Sequence, residues 1–374
     1  MRKTAFVYDS ILSKHVLRDT HPMKPVRLQY TYDLLNSYGI FEESSVKLIG
    51  PREAIYKELA SIHSGEYISA VRSLSGGLKE YLPEKYGFSK SGDNPIFTDM
   101  YQAAVLSTGA SLIGAELVNS GESDVAFSIS GGLHHADRNS ASGFCIFNDP
   151  AIAIKYFVNN GKKVAYVDID AHHGDGVQNA FYDDNRVLTI SLHESGSYLF
   201  PGTGFSNEIG NEHGKGYSVN LPLYPYTTDE LYVWVFKQVA IPMINAFQPD
   251  VLVAQLGVDS YYTDPLTHLN ITSTGYAEVV QNIMDTNIPC LALGGGGYDV
   301  MAVARCWSLA YSVMCDISLS DTIPSDFASQ YGVHILRDTV KMDIPKEILE
   351  ESLKLAEESV AYIKKHCFPI HRIE

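Results

Sequence analysis

The chain has 374 residues, 45% of them hydrophobic, so it can bury a large core, and α/β chains of this size often fold as one domain. Its 28 Lys and Arg against 44 Asp and Glu leave a formal charge of −16, a sign that repels phosphate backbones, argues against nucleic acid and suits a cationic partner. No apolar run is long enough to cross a membrane.

From the N-terminus, MRKTAFVYDSILSKH meets Asp9 before any apolar run of signal-peptide length, so no leader is expected. Short apolar runs at Thr4–Tyr8, Val125–Ser130, Val164–Ile169, Val187–Leu192, Val251–Leu256 and Cys290–Leu293 read as buried strands. Between most of them lie segments of helical period and length: Tyr101–Val118, Pro150–Asn159, Thr228–Ala246, Thr274–Asp285 and Val300–Met314. Strands alternating with helices predict an α/β fold, an open and mostly parallel sheet flanked by helices. Residues 1–374 read as a single domain, and the tail from Pro345 to His366 as an amphipathic helix packed on it. The polar stretch Tyr86–Asn94 reads as a loop. Five scattered cysteines (Cys145, Cys290, Cys306, Cys315, Cys367) without CxxC spacing point to reduced thiols in a cytoplasmic protein.

The residues just past each strand carry the chemistry. After Ile129 comes Ser-Gly-Gly-Leu133-His134-His135; after Val167 comes Asp168-Ile-Asp170-Ala-His172-His173-Gly-Asp175. His193 comes after Leu192, Asp259 closes Gly-Val-Asp, and Gly294–Gly297 leads to Tyr298. Ligands in open parallel sheets bind beyond the carboxyl ends of the strands. Five such polar tips predict one site built from all of them.

Asp168, Asp170 and His172 alternate at spacing two and project to one side of an extended strand end. Burying them unpaired is costly, and a cation offsets that cost. Asp170 and His172 supply two ligands of a Zn²⁺-type site that keeps a position for water, and Asp259 is the best-placed third. A metal-free hydrogen-bonded network is the competing reading of DxH alone; the companion Asp259, the histidine pair and the glycine run favour the metal. Water on such a site needs a base, and His134 or His135 fits, with Asp168 and Asp175 left over to fix their tautomers. Tyr298 on its glycine-rich turn can donate to a developing oxyanion, or be a buried structural tyrosine. The glycine run has neither phosphate-loop pattern and no Lys after it.

SGGLHHA, SGFC, DIDAHHGDGVQ, ISLHE with FPGTG, LGVDS and LGGGGY resemble, in order and spacing, the motifs of the histone deacetylase superfamily. The likeness runs from about Tyr8 to about Met314 and looks closest to the prokaryotic acetoin-utilisation and histone-deacetylase-like branch. It implies the arginase/deacetylase-like fold and a zinc-dependent hydrolase that removes acetyl groups from lysine. By that resemblance Asp170, His172 and Asp259 hold Zn²⁺, or Fe²⁺, which the same ligands suit. His135 is the general base and His134 its electrostatic neighbour, backed by Asp175 and Asp168 respectively; Tyr298 polarises the carbonyl. Gly143, Phe144, Phe200 and Leu266 match the acyl-lysine tunnel, and Asp93 the rim aspartate that grips the substrate backbone. Arg27 and Leu133 match the cavity that releases acetate, with Leu133 standing where many relatives carry an aromatic. A structural K⁺ would take ligands from Asp168, Asp170, His172, Ser191 and Leu192.

The substrate implied is an acetylated protein, by analogy with the acetoin-utilisation branch an acyl-CoA synthetase. An acetylated polyamine is the alternative that the acidic composition allows. A non-catalytic acyl-lysine binding module predicts a missing ligand, base or tyrosine, and none is missing. A two-manganese ureohydrolase of the arginase type needs a second metal's ligands, and Gly257-Val-Asp259-Ser260-Tyr261 lacks the second aspartate.

Overall fold

The computed structural model describes residues 2–14, 16–78, 80–89, 92–340 and 342–374. Strands β1 (Thr4–Val7), β2 (Val46–Ile49), β3 (Val125–Ser128), β4 (Val164–Asp168), β5 (Val187–Glu194), β6 (Ser218–Leu223), β7 (Val251–Gln255) and β8 (Cys290–Leu293) form one sheet. Their order is β2-β1-β3-β8-β7-β4-β5-β6, and every pairing among the described residues is parallel. The six expected strands are all present, within two residues at each end; β2 and β6, the two edges, are additional.

A parallel sheet buried on both faces explains why its central strands read as unbroken apolar runs. On one face Phe6, Phe127, Val167, Ile190, Ala254 and Ala292 pack with Val279, Val303, Trp307 and Tyr311. On the other, Ala5, Ala126, Tyr166, Val253 and Leu291 pack with Ala115, Val118, Ile154 and Phe157. Helices α1 (Val26–Ser37), α2 (Gly65–Ser75), α3 (Met100–Ser120) and α4 (Asp149–Asn159) come first in the chain. Of these, α3 lies across β1, β3 and β8 and packs on α4. The expected 228–246 helix is Asp229–Val235 and Ile241–Phe247 joined through a π-helical turn, Phe236–Ala240. Further on, α5 (Ser273–Asp285) packs on α6 (Val300–Met314), and α6 on α1.

The tail helix α7 (Lys346–His366) covers edge strand β6, burying Ala356, Val360 and Ile363. Among the described residues no helix is long and apolar enough to cross a membrane. The five cysteines are buried free thiols.

Strands β3, β8, β7, β4 and β5 are consecutive neighbours in the sheet. The polar tips singled out in the sequence therefore emerge side by side at one end of it.

Candidate active site

Asp170 and His172 lie just beyond β4, Asp259 just beyond β7, and one ligand atom from each falls within 4.8 Å of the others. His172 Nδ1 stands 3.2 Å from Asp170 Oδ1 and 2.9 Å from Asp259 Oδ2. Asp170 Oδ2 accepts from Gln255 Nε2 (2.6 Å) and the Gly296 N–H (2.8 Å), and Asp259 Oδ1 from the Ala171 N–H (2.7 Å). All three residues are buried. Burial and the neighbouring Asp170 charge push the Asp259 pKa up, while His172 is held well above its ordinary value by the two carboxylates, against burial. Two buried carboxylates this close cannot both ionise without a cation between them. The donor set fits a divalent metal with an open position.

Beside this triad the histidine pair is held by two further carboxylates. The His134 Nδ1–H donates to Asp168 Oδ2 (2.8 Å), and the His135 Nδ1–H to Asp175 Oδ1 (2.7 Å). The two Nε2 atoms stand 3.0 Å apart. Asp168 also accepts from Tyr166 Oη (2.6 Å) and the Asp170 N–H (3.1 Å). Burial opposes a charge on His134, but Asp168 and Asp170 outweigh it and push its pKa up to about 9. His135, buried and next to that charge, is pushed down to about 4, so its Nε2 can accept a proton.

The glycine run brings Tyr298 to the same place. Gly295 and Gly297 adopt φ of 132° and 124°, which side-chain-bearing residues avoid. A Cβ on Gly296 would collide with Asp259 Oδ2. Burial and the charges of Asp259 and Asp170 hold the Tyr298 phenol well above 10, so it stays a proton donor. Its main-chain N–H donates to Asp264 Oδ2 (2.7 Å), while Asp264 Oδ1 accepts from the Leu266 N–H (2.9 Å).

A cleft of about 220 Å³ opens onto these groups, lined by Asp93, His135, Gly143, Phe144, His172, Leu199, Phe200, Leu266 and Tyr298. Phe144 stands edge-on to Tyr298 (5.7 Å between centroids), and Phe200 edge-on to His135 (5.0 Å). Phe144 also walls an apolar cavity of about 110 Å³ that includes Arg27 and Leu133. The buried Arg27 guanidinium donates to the Gly295 and Gly297 carbonyls (2.7 and 2.9 Å) and lies 5.0 Å from the Trp307 ring centroid. A smaller void of about 10 Å³ joins Leu133, His134, His135, Cys145, Asp170 and Tyr298. Asp168, Ser191 and Leu192 do not line the cleft; Asp168 pairs in register with Ser191 behind the triad. Asp175 likewise stands behind His135.

Several supporting residues escape a reading of the sequence. The Asn148 side chain donates to the carbonyls of His134 (3.0 Å) and Ala136 (2.9 Å), and caps α4 by accepting from the Ala151 N–H (2.9 Å). His63 Nε2 accepts from the Asn148 N–H (2.9 Å) and its Nδ1–H donates to the Asp137 carbonyl (3.0 Å). Asp149, buried, accepts from the Gly132 and Leu133 N–H groups (3.0 and 2.9 Å). His21 donates through Nε2 to the Asp93 carbonyl (3.0 Å) and packs edge-on to Phe144 (4.5 Å). Only Asn148-Asp149-Pro150 carries a sequence signal, an N-cap and then a first-turn proline.

An eight-stranded parallel α/β sheet whose central strand tips gather an Asp-His-Asp triad that could hold a metal ion, a carboxylate-backed histidine pair and a tyrosine defines a hydrolase of the deacetylase class. The family pattern described as histone deacetylase domain matches residues 21–314. Human histone deacetylase 1 is 38% identical over 356 residues, covering 94% of this chain and 73% of that protein. The acetoin utilization protein AcuC of Bacillus subtilis is 39% identical over 335 residues, 87% of this chain and 86% of that protein. A solved structure of an HDAC homologue from Aquifex aeolicus superposes with a TM-score of 0.86 at 29% identity, covering 96% of this chain and all of that one. The chain belongs to the histone deacetylase family, with an AcuC-like likeness over nearly its full length.

Proposed function

We propose that this chain hydrolyses the amide of Nε-acetyl-lysine in proteins, releasing lysine and acetate, as a zinc-dependent enzyme working as one catalytic domain in the cytoplasm. The observation that carries this is the cleft: two phenylalanines flank a narrow passage that ends on His135, His172 and Tyr298. A four-methylene lysine stem needs such apolar walls, and a short amide needs such an end.

Asp170, His172 and Asp259 would hold Zn²⁺, which when bound would polarise the carbonyl and lower the pKa of water to about 7. The chain's own residues do the rest. Neutral His135, its Nδ1–H fixed on Asp175, takes a proton from water through Nε2 as the water oxygen attacks the carbonyl carbon. Tyr298 donates to the oxygen that becomes negative. As the carbon–nitrogen bond breaks, His135 returns the proton to the leaving lysine nitrogen. His134, paired with Asp168, keeps positive charge beside the developing anion. Asp93 at the rim accepts main-chain N–H groups of the substrate. Arg27 and Leu133 face the cavity through which acetate would leave, and Asp168, Asp170, His172, Ser191 and Leu192, largely through main-chain carbonyls, would hold K⁺. An acetylated acyl-CoA synthetase fits as the protein substrate by likeness to AcuC.

The test offers the protein an acetyl-lysine peptide and an acetylated polyamine side by side, with and without a hydroxamate chelator, and measures acetate and bound metal. Chelator-sensitive release from the peptide with one zinc per chain is expected. Turnover of the polyamine alone would move the activity to small amides, and iron in place of zinc would correct the metal. Peptide binding without turnover of either would make the chain a binding module.

A further inference from the structure

Beside the Phe200 and Leu266 wall of the cleft lies an aromatic shelf with no part in the deacetylation chemistry. Tyr198 precedes the wall residues Leu199 and Phe200, and is 51% exposed. His268 lies two positions past Leu266, with its side chain 51% exposed. Tyr226, 43% exposed, joins them from a separate loop, its N–H donating to the His268 carbonyl (2.7 Å). The rings meet in pairs, Tyr198 with Tyr224 at 5.2 Å and Tyr226 with His268 at 6.3 Å.

Two features show that this shelf is held rather than loose. Tyr226 sits in the left-handed region at φ 67°, a strained choice for an aromatic residue. Glu194, fully buried at the end of β5, accepts both from the His268 N–H (2.8 Å) and from His268 Nδ1 (2.9 Å). Burial, Tyr224 and, least, the charge of Glu351 on α7 raise the Tyr198 phenol pKa. Aromatic faces backed by carboxylates, on a chain of net charge −16, complement a cation.

We propose that Tyr198, Tyr224, Tyr226 and His268 form a docking shelf for an Arg or Lys side chain of the acetylated protein, within three residues of its acetyl-lysine. This rests on the protein-deacetylase reading and adds the class of sequence that the enzyme selects. The cation lies over the tyrosine faces, beside the imidazole that Glu194 holds.

A peptide series with one Arg moved across the positions flanking acetyl-lysine, against citrulline at the same positions, tests it. Turnover is measured on the wild-type chain, and Kd by fluorescence anisotropy on Tyr298→Phe. At one or two positions Arg should exceed citrulline by about two- to fivefold, through KM and Kd rather than kcat, as expected for exposed cation–π contacts. In Tyr198→Ala/Tyr226→Ala the ratio should fall to near one, whereas Tyr226→Phe, which keeps the ring, should retain it. Equal values for Arg and citrulline at every position, or a preference that survives the double substitution, would overturn the shelf. Should the wild type hydrolyse no acetyl-lysine peptide, the activity reading fails, and the Kd ratio still decides for or against the shelf.

Discussion

His63 makes the most direct link between a single proton and the placement of the histidine pair. The ring is buried, and both nitrogens are committed: Nδ1–H to the Asp137 carbonyl, Nε2 as acceptor from the Asn148 N–H. Asn148 in turn holds the His134 and Ala136 carbonyls. Burial pushes the His63 pKa down to about 4 from 6.5, because a second ring proton would be desolvated and would face the Asn148 N–H. The unfolded chain therefore takes up this proton first. The stability that depends on His63 is intact above pH 6.5 and is lost as pH falls from 6.5 towards 4. The gap is about 2.5 pH units; at about 1.4 kcal/mol per unit, this one residue withdraws about 3 kcal/mol by pH 4. Urea unfolding at pH steps from 7.5 to 4, on wild type and on His63→Gln, measures it. The variant keeps an amide donor and acceptor but does not titrate, so its stability should fall less steeply with acid, by about one proton's slope. Parallel pH dependences, or a His63 imidazole that titrates near 6.5 by NMR, would refute the reasoning.

Tyr298→Phe should lower kcat about 10²–10³-fold with KM little changed, the size of losing one oxyanion donor, as read by acetate release from an acetyl-lysine peptide; an unchanged rate would remove Tyr298 from the chemistry. Asp259→Asn should reduce bound metal together with activity, measured by elemental analysis after dialysis, since the triad loses an anionic ligand. Gly143→Ala should slow turnover at least tenfold while the fold is retained by circular dichroism, because its Cβ would stand 2.7 Å from His135 Cγ at φ 49°. Asp264→Asn leaves one of the Tyr298 and Leu266 N–H groups without its acceptor and should cost about tenfold in kcat/KM on acetyl-lysine. A trifluoroacetyl peptide, whose carbonyl needs less help from the tyrosine, should be hurt less, and equal losses on both would mean that Asp264 does not act through Tyr298.

The central sheet was legible because both its faces are covered, which turns each inner strand into an apolar run bounded by glycine, aspartate or histidine. The edges were not. β2 is VKLI with Lys47 and Leu48 exposed, and β6 is SVNLPL, where Pro222 and Asn220 break the strand pattern. Proline is tolerated at β6 because it lies at an edge, and the burial that would have marked the strand comes from α7, more than a hundred residues later. Helix α1 escaped for a related reason. Its buried face includes Arg27 and Thr31, whose partners are the Gly295 and Gly297 carbonyls and the Arg27 carbonyl rather than solvent. A polar residue on an inner face erases the periodicity by which a helix is read.

The site divides along the same physical line. Residues at the strand tips announce themselves, since a cluster of Asp, His and Gly after an apolar run has few structural explanations. The residues that aim them are single polar side chains in unpatterned segments: His63 below the His134 loop and Asp264 below Tyr298. Each is buried and takes at least one main-chain N–H from another segment of the chain. A main-chain donor can come from any residue type, so no motif encodes the contact and only the fold brings the two ends together. These contacts fix loop backbones, and a catalytic group displaced by about 1 Å can lose about a hundredfold in rate. His63 and Asp264 should therefore affect kcat even though neither lines the cleft, with smaller losses than the groups that touch the substrate.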